Sequence, residues 1–143
     1  LYVRESHSEL LQCWVRVAEI VATCRIAYME IVSALNRRLK EGDLSKDDYD
    51  AIVKSFSNDW GNFAKVDFDD VDAGNLAERY GLTRFGAIHL SAAKLIMTGY
   101  KKCKPDLEST GNRTLGMTLF FSSEDTVLCD AAAGEGLKVL PLM

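Results

Sequence analysis

The chain is poor in the features that most readily declare a function. Its four cysteines, Cys13, Cys24, Cys103 and Cys129, form no CxxC pair and no regular framework, which argues against a zinc site or a disulfide scaffold and suits buried thiols in a reducing compartment. The expected location is the cytoplasm. Basic charge is scarce too: 17 Lys and Arg against 21 Asp and Glu give a net charge of -4. That balance argues against a duplex-DNA binder working through broad phosphate neutralisation, although a small local basic groove is compatible with it. No apolar run approaches the roughly 20 residues needed to cross a bilayer, and no signal-peptide pattern is present, so no membrane partner is expected. There is no glycine-rich phosphate loop, no HExxH zinc motif and no nucleophile elbow. Internal repeats and low-complexity segments are absent as well.

What is present is enough apolar material to close a core. At 143 residues and 48% hydrophobic, one domain over 1–143 is expected to fold without disulfide or metal staples. Leu10, Leu11, Trp14, Val15 and Ala18 recur at helical spacing, and Ile20 to Thr23 reads as a buried strand. A second helix is expected from Tyr28 to Lys40, stopped by Gly42. Ser45 opens a third helix with Tyr49, Ile52, Val53, Phe56 and Trp60 on its stripe. Lys65 to Phe68 reads as a strand, followed by a helix from Asp69 to Gly81.

The next helix spans Phe85 to Tyr100, with Ile88, Ala92, Leu95 and Ile96 on its apolar side and Ala87, Ser91 and Ala93 small enough for close packing. Lys101 to Gly116, with Pro105 and no period, reads as the one long loop. Met117 to Phe121 reads as a strand covered on both faces, Thr126 to Gly134 as a helix, and Leu137 to Leu140 as a last strand. This alternation predicts an α/β fold with a mainly parallel sheet between helical layers.

Within that pattern two acids occupy matching places. Glu30 and Asp125 each follow a short apolar β-type run and open a helical pattern, which is how an α/β sheet gathers carboxylates at one edge and where a divalent cation can bind. Each acid also has a plainer role. Glu30 complements the positive start of a helix, and Asp125 is a natural N-cap. Glu124 substitutes for Asp125 if the register shifts by one, whereas Asp130 reads as exposed. His89 fits a packed, hydrogen-bonded position better than a catalytic one, and His7 reads as surface. Arg25 and Arg84 flank the two acidic segments and suit either phosphate contacts or salt bridges. Arg37-Arg38-Leu39-Lys40 and Lys101-Lys102-Cys103-Lys104 are short basic runs; Trp14, Trp60, Phe120 and Phe121 fit core positions better than base-stacking platforms.

Three blocks in order, Ala22 to Leu35, Leu76 to Leu90, and Phe121 to Leu140, resemble the PIN domains, and within them the VapC-type toxins of toxin–antitoxin pairs. The resemblance covers nearly the whole chain. It implies a three-layer α/β/α sandwich and a Mg²⁺- or Mn²⁺-dependent endoribonuclease, a homodimer partnered by an antitoxin protein. Carried over position by position, the family's metal-binding, catalytic acids fall on Glu30 and Asp125, and Arg25 and Arg84 become RNA contacts. Two family acids have no counterpart. One belongs to an initial strand with an Asp-Thr-Ser-Ala-like motif, and Leu1 to Ser6 looks like the helix that follows that strand, so a truncated start is expected. The other falls on Gly86. A carboxylate about 4 Å from a dication at an effective dielectric of about 20 is worth about 8 kcal/mol before desolvation, so these departures imply impaired catalysis. A non-catalytic RNA- or protein-binding module on the same fold is the alternative expectation.

Overall fold

The computed structural model describes residues 8–109 and 118–140, with side chains over 9–102 and 118–140. The chain divides into two compact units, Leu1–Lys65 and Val66–Met143. The elements run α1 Ser8–Val17, β1 Ala22–Cys24, α2 Ala27–Glu41, α3 Lys46–Trp60, β2 Ala64–Val66, α4 Asp70–Tyr80, α5 Arg84–Ser109, β3 Phe120–Phe121, α6 Thr126–Gly134 and β4 Lys138–Val139. The class is α/β and mainly helical, with two separate two-stranded sheets, β1-β2 and β3-β4, among the described residues.

In the first unit, α2 and α3 form a helical hairpin whose ends are fixed by local chemistry. Gly42 takes φ 83° to close α2, and its N–H bonds back to the last-turn carbonyls, a left-handed stop that a Cβ would strain. Ser45 then caps α3, its hydroxyl accepting from the Asp48 N–H at 3.1 Å. The hairpin is filled by aromatic rings. Phe56, 1% exposed, stacks on Tyr28 at 5.3 Å, and Trp60 lies 5.7 Å from Phe56 and 5.4 Å from Tyr28. Lys65 closes the far side, donating to the Trp60 carbonyl at 2.9 Å and standing 5.5 Å over its indole. The stripe expected on α3 is therefore the one that packs.

The second unit is built on α4 and α5. Asp69 caps α4 through its side chain, which accepts from the Asp72 N–H at 2.7 Å, and Gly81 ends the helix at φ 65°. Ser91 on α5 is fully buried. Its hydroxyl accepts from the Asp69 N–H at 3.1 Å and donates to the Asp69 carbonyl at 3.0 Å, so a side chain serves both backbone groups at the entry to α4. Leu76, Leu90, Leu128, Ala131, Ala132 and Leu137 form the core, with Tyr80, Met97, Phe121 and Val139 against it. β3 and β4 are parallel, Phe120 opposite Lys138 and Phe121 opposite Val139.

Several expectations need correction. The segment Lys101 to Ser109 is helix, not loop; its Lys, Leu and Glu residues favour helix without an apolar stripe, and Pro105 removes a single N–H from the ladder. Residues 110–117, including Met117, lie outside the described residues, as do Leu1 to His7. On α5 the expected small residues Ala87 and Ser91 are buried with Leu90 and Ala92, and Ile88 and Ile96 are half-buried, but Leu95, expected on the apolar side, is 45% exposed. Phe120 is 47% exposed, so β3 is not covered on both faces. Trp14 is 37% exposed rather than core. Of the thiols, Cys24 is buried, Cys129 half-buried and Cys13 exposed.

Candidate functional site

Both predicted acids sit where a strand gives way to a helix. β1 ends at Cys24 and α2 begins at Ala27; Glu30 lies in the first turn of α2, half-buried, and its N–H donates to the Ile26 carbonyl at 3.2 Å. The start of α2 has no side-chain cap, since Ile26 occupies that place. A carboxylate in the first turn therefore supplies the negative charge the helix start favours. Arg25, exposed, lies in the turn between β1 and α2. These residues belong to the first unit.

In the second unit, β3 ends at Phe121 and Asp125 is the N-cap of α6. Its Oδ1 accepts from the Leu128 N–H at 3.1 Å, and its own N–H donates to the Ser123 hydroxyl at 3.1 Å. Asp125 is exposed. Glu124 and Asp130 are exposed neighbours. The Cys129 thiol donates to the Ser123 carbonyl at 3.2 Å, and burial pushes its pKa up, which keeps it a neutral packing group at ordinary pH.

Gly86 comes to the same place. It lies in the first turn of α5, where the Thr83 hydroxyl accepts its N–H at 3.2 Å. A Cβ on Gly86 would meet Leu128 Cδ1 at 3.8 Å and Cδ2 at 3.9 Å. Leu128 is the residue whose N–H Asp125 caps, so the first turns of α5 and α6 converge. Arg84 opens α5, exposed, its guanidinium 5.8 Å from the Phe85 ring. His89 is half-buried further along α5, in line with a packed role.

The donors at this convergence do not fit a tightly held dication. Each helix start contributes roughly half a positive elementary charge, so two of them offset about one carboxylate, and Asp125 is the carboxylate present. Gly86 adds none. Among the described residues no three His, Cys, Asp or Glu side chains lie close enough together to hold a metal ion.

A polar cluster in the same unit had no local signature in the sequence. Glu135, whose side chain is 11% exposed, accepts from Tyr80 Oη at 2.8 Å, from Arg79 at 2.8 Å and from Lys94 at 3.0 Å. Lys94 also meets Asp72 at 2.7 Å. The Lys94 and Tyr80 hydrogen bonds hold the Glu135 carboxyl below the usual carboxylate range. Burial pulls the Lys94 ammonium down, but its bonds to Asp72 and Glu135 outweigh that and leave its pKa raised. The cluster ties the ends of α4 and α6 to α5 and is a structural clamp. Among the described residues no helix is long and apolar enough to cross a membrane. No protein-family model and no curated protein sequence matches this chain.

Proposed function

We propose that this chain is a PIN-type, VapC-like ribonuclease module whose own catalysis is impaired. On this reading the fold is of the three-layer α/β/α sandwich type with a mainly parallel sheet, and RNA is the substrate of the lineage. Glu30 and Asp125 are its remaining metal-binding, catalytic carboxylates, and Arg25 and Arg84 contact RNA phosphates. Mg²⁺ or Mn²⁺ binds weakly or not at all. An antitoxin-like protein and a second copy of the chain are the expected partners, in the cytoplasm.

The observation that carries the reading is the convergence at the start of α6. Two positions where the resemblance implies metal ligands, 86 and 125, lie on neighbouring helix turns although they are 39 positions apart in the sequence, and one of the two is a glycine. In-line hydrolysis needs a positioned metal, an oriented water and stabilisation of the departing oxygen. On this reading Gly86 withholds one ligand and Asp125 also serves the α6 cap, which weakens the hold on a metal.

The test is an RNA-cleavage assay in Mg²⁺ and in Mn²⁺ with the Glu30→Gln variant as control. Little or no cleavage is expected, and no difference between parent and variant. Robust cleavage by the parent that disappears in Glu30→Gln overturns the proposal. The intact α6 cap and α5–α6 core, retained without the acid, favour a second reading: a non-catalytic RNA- or protein-binding module, for which saturable RNA binding without cleavage is the supporting result.

A further inference from the structure

We infer that position 86 has been absorbed into the α5–α6 core, so that a carboxylate returned there by Gly86→Asp unsettles the fold instead of rebuilding a metal centre. The inference rests on the PIN-type reading only for the expectation that an acid belongs at this position. Its physical content is independent of that reading. Gly86 is buried, and the residues after it on α5, Ala87 at 2% and Leu90 at 0% exposure, are buried too. A Cβ on Gly86 would meet Thr83 Oγ1 at 3.2 Å and touch the two methyls of Leu128 at 3.8 and 3.9 Å, and Leu128 is itself 6% exposed and part of the core with Leu76, Leu90 and Leu137.

The nearest atom is polar, Thr83 Oγ1, 3.2 Å from that Cβ. It is already the acceptor for the Gly86 N–H at 3.2 Å, so it cannot withdraw to make room without loosening the first turn of α5. Nor can α5 roll to carry position 86 toward water, because Ser91, five residues on, is fixed to both backbone groups of Asp69. A new carboxylate would be set between the Thr83 hydroxyl and the Leu128 methyls, near the α6 start that Asp125 already caps. The favourable helix-start dipole is smaller than the penalty for burying an unpaired charge.

The test compares Gly86→Ala, Gly86→Asn and Gly86→Asp by thermal melting, each with and without millimolar Mn²⁺. Gly86→Ala is expected to melt within about 3 °C of the parent, and Gly86→Asp about 10 °C or more below Gly86→Ala, with no recovery in Mn²⁺. Where Gly86→Asp fails to fold, Gly86→Asn decides the cause. A folded Asn variant assigns the loss to charge, and an unfolded one, beside a folded Ala variant, assigns it to room; both support a closed position. A Gly86→Asp protein that melts with Gly86→Ala, or whose melting temperature Mn²⁺ raises while leaving Gly86→Asn unmoved, overturns the inference. RNA cleavage by the parent through Glu30 would refute the functional reading and leave this result standing, so the two failures are distinguishable.

Discussion

Asp125 offers the sharpest separation of a structural role from a metal-binding one, because the two roles respond oppositely to the same pair of substitutions. Its Oδ1 holds the Leu128 N–H at 3.1 Å, and α6 is only nine residues long while burying Leu128, Ala131 and Ala132. Removing an N-cap side chain costs about 1 kcal/mol, within a range of about 0.5–2, whereas Asn caps about as well as Asp. For a chain of this length 1 kcal/mol moves the melting temperature by about 3–5 °C. Asp125→Ala is therefore expected to lower the midpoint by that amount, and Asp125→Asn to leave it within about 1 °C.

A bound metal adds a second axis. A cation present at about a hundred times its dissociation constant stabilises the fold by about 2.7 kcal/mol, an upward shift of about 10 °C, and Asp125→Asn removes the charge such a cation needs. The assay is thermal melting followed by circular dichroism, in EDTA and in millimolar Mg²⁺ or Mn²⁺. The expected result is the same small response to metal in the parent and in Asp125→Asn. A parent midpoint that climbs by many degrees in metal, with the climb erased by Asn but the EDTA midpoint unchanged, refutes the argument that the helix starts and Gly86 leave too little negative charge.

Other outcomes follow from the same contacts. Glu135→Gln should destabilise the second unit near neutral pH; since the folded carboxyl is held below its ordinary value, its contribution is full above the unfolded carboxylate range and disappears as pH falls through the folded value, so parent and variant midpoints should converge in acid. Ser91→Ala strands the Asp69 N–H, while the Asp69 carbonyl keeps its bond from the Ala73 N–H at 2.9 Å, and should cost about 1–3 kcal/mol in urea unfolding. Gly74→Ala, on an exposed face of α4 where a Cβ meets nothing within 4 Å, should stabilise by about 0.5–1 kcal/mol, while Gly42→Ala, at φ 83°, should destabilise by about 1 kcal/mol. Phe56→Ala should cost about 3–5 kcal/mol in the same unfolding assay, given its burial among Tyr28 and Trp60.

The parts of the fold that local chemistry dictates were legible in the residues. Ser45, Asp69 and Asp125 read as helix starts, and Gly42 and Gly81 as stops, because caps and left-handed turns depend on one or two side chains. The α3 stripe was legible because Ile52, Val53, Phe56 and Trp60 share one helical face. The placement of Glu30 and Asp125 after strands was legible for the same reason. What was not legible depends on partners distant in sequence. The exposure of Leu95 was not legible, and neither was the pairing of Ser91 with both backbone groups of Asp69. Glu135 gives no local sign that Tyr80, Arg79 and Lys94 will gather on it, and a segment of charged residues around Pro105 looks like loop to any reading that equates helix with an apolar stripe.

The two hydrogen bonds between the Ser91 hydroxyl and the Asp69 backbone bear on how such a chain changes over time. A hydroxyl that satisfies a donor and an acceptor at once works like a keyed shaft: α5 has a single seating in its bearing, and every residue along it inherits a fixed azimuth. Substitutions elsewhere on the shaft must then be absorbed where they occur, by trimming the side chain or the wall opposite, since the whole rod cannot be re-clocked to accommodate them. The space beside a glycine such as Gly86 near one end is thus closed by its immediate neighbours, and the rest of the helix keeps its seating.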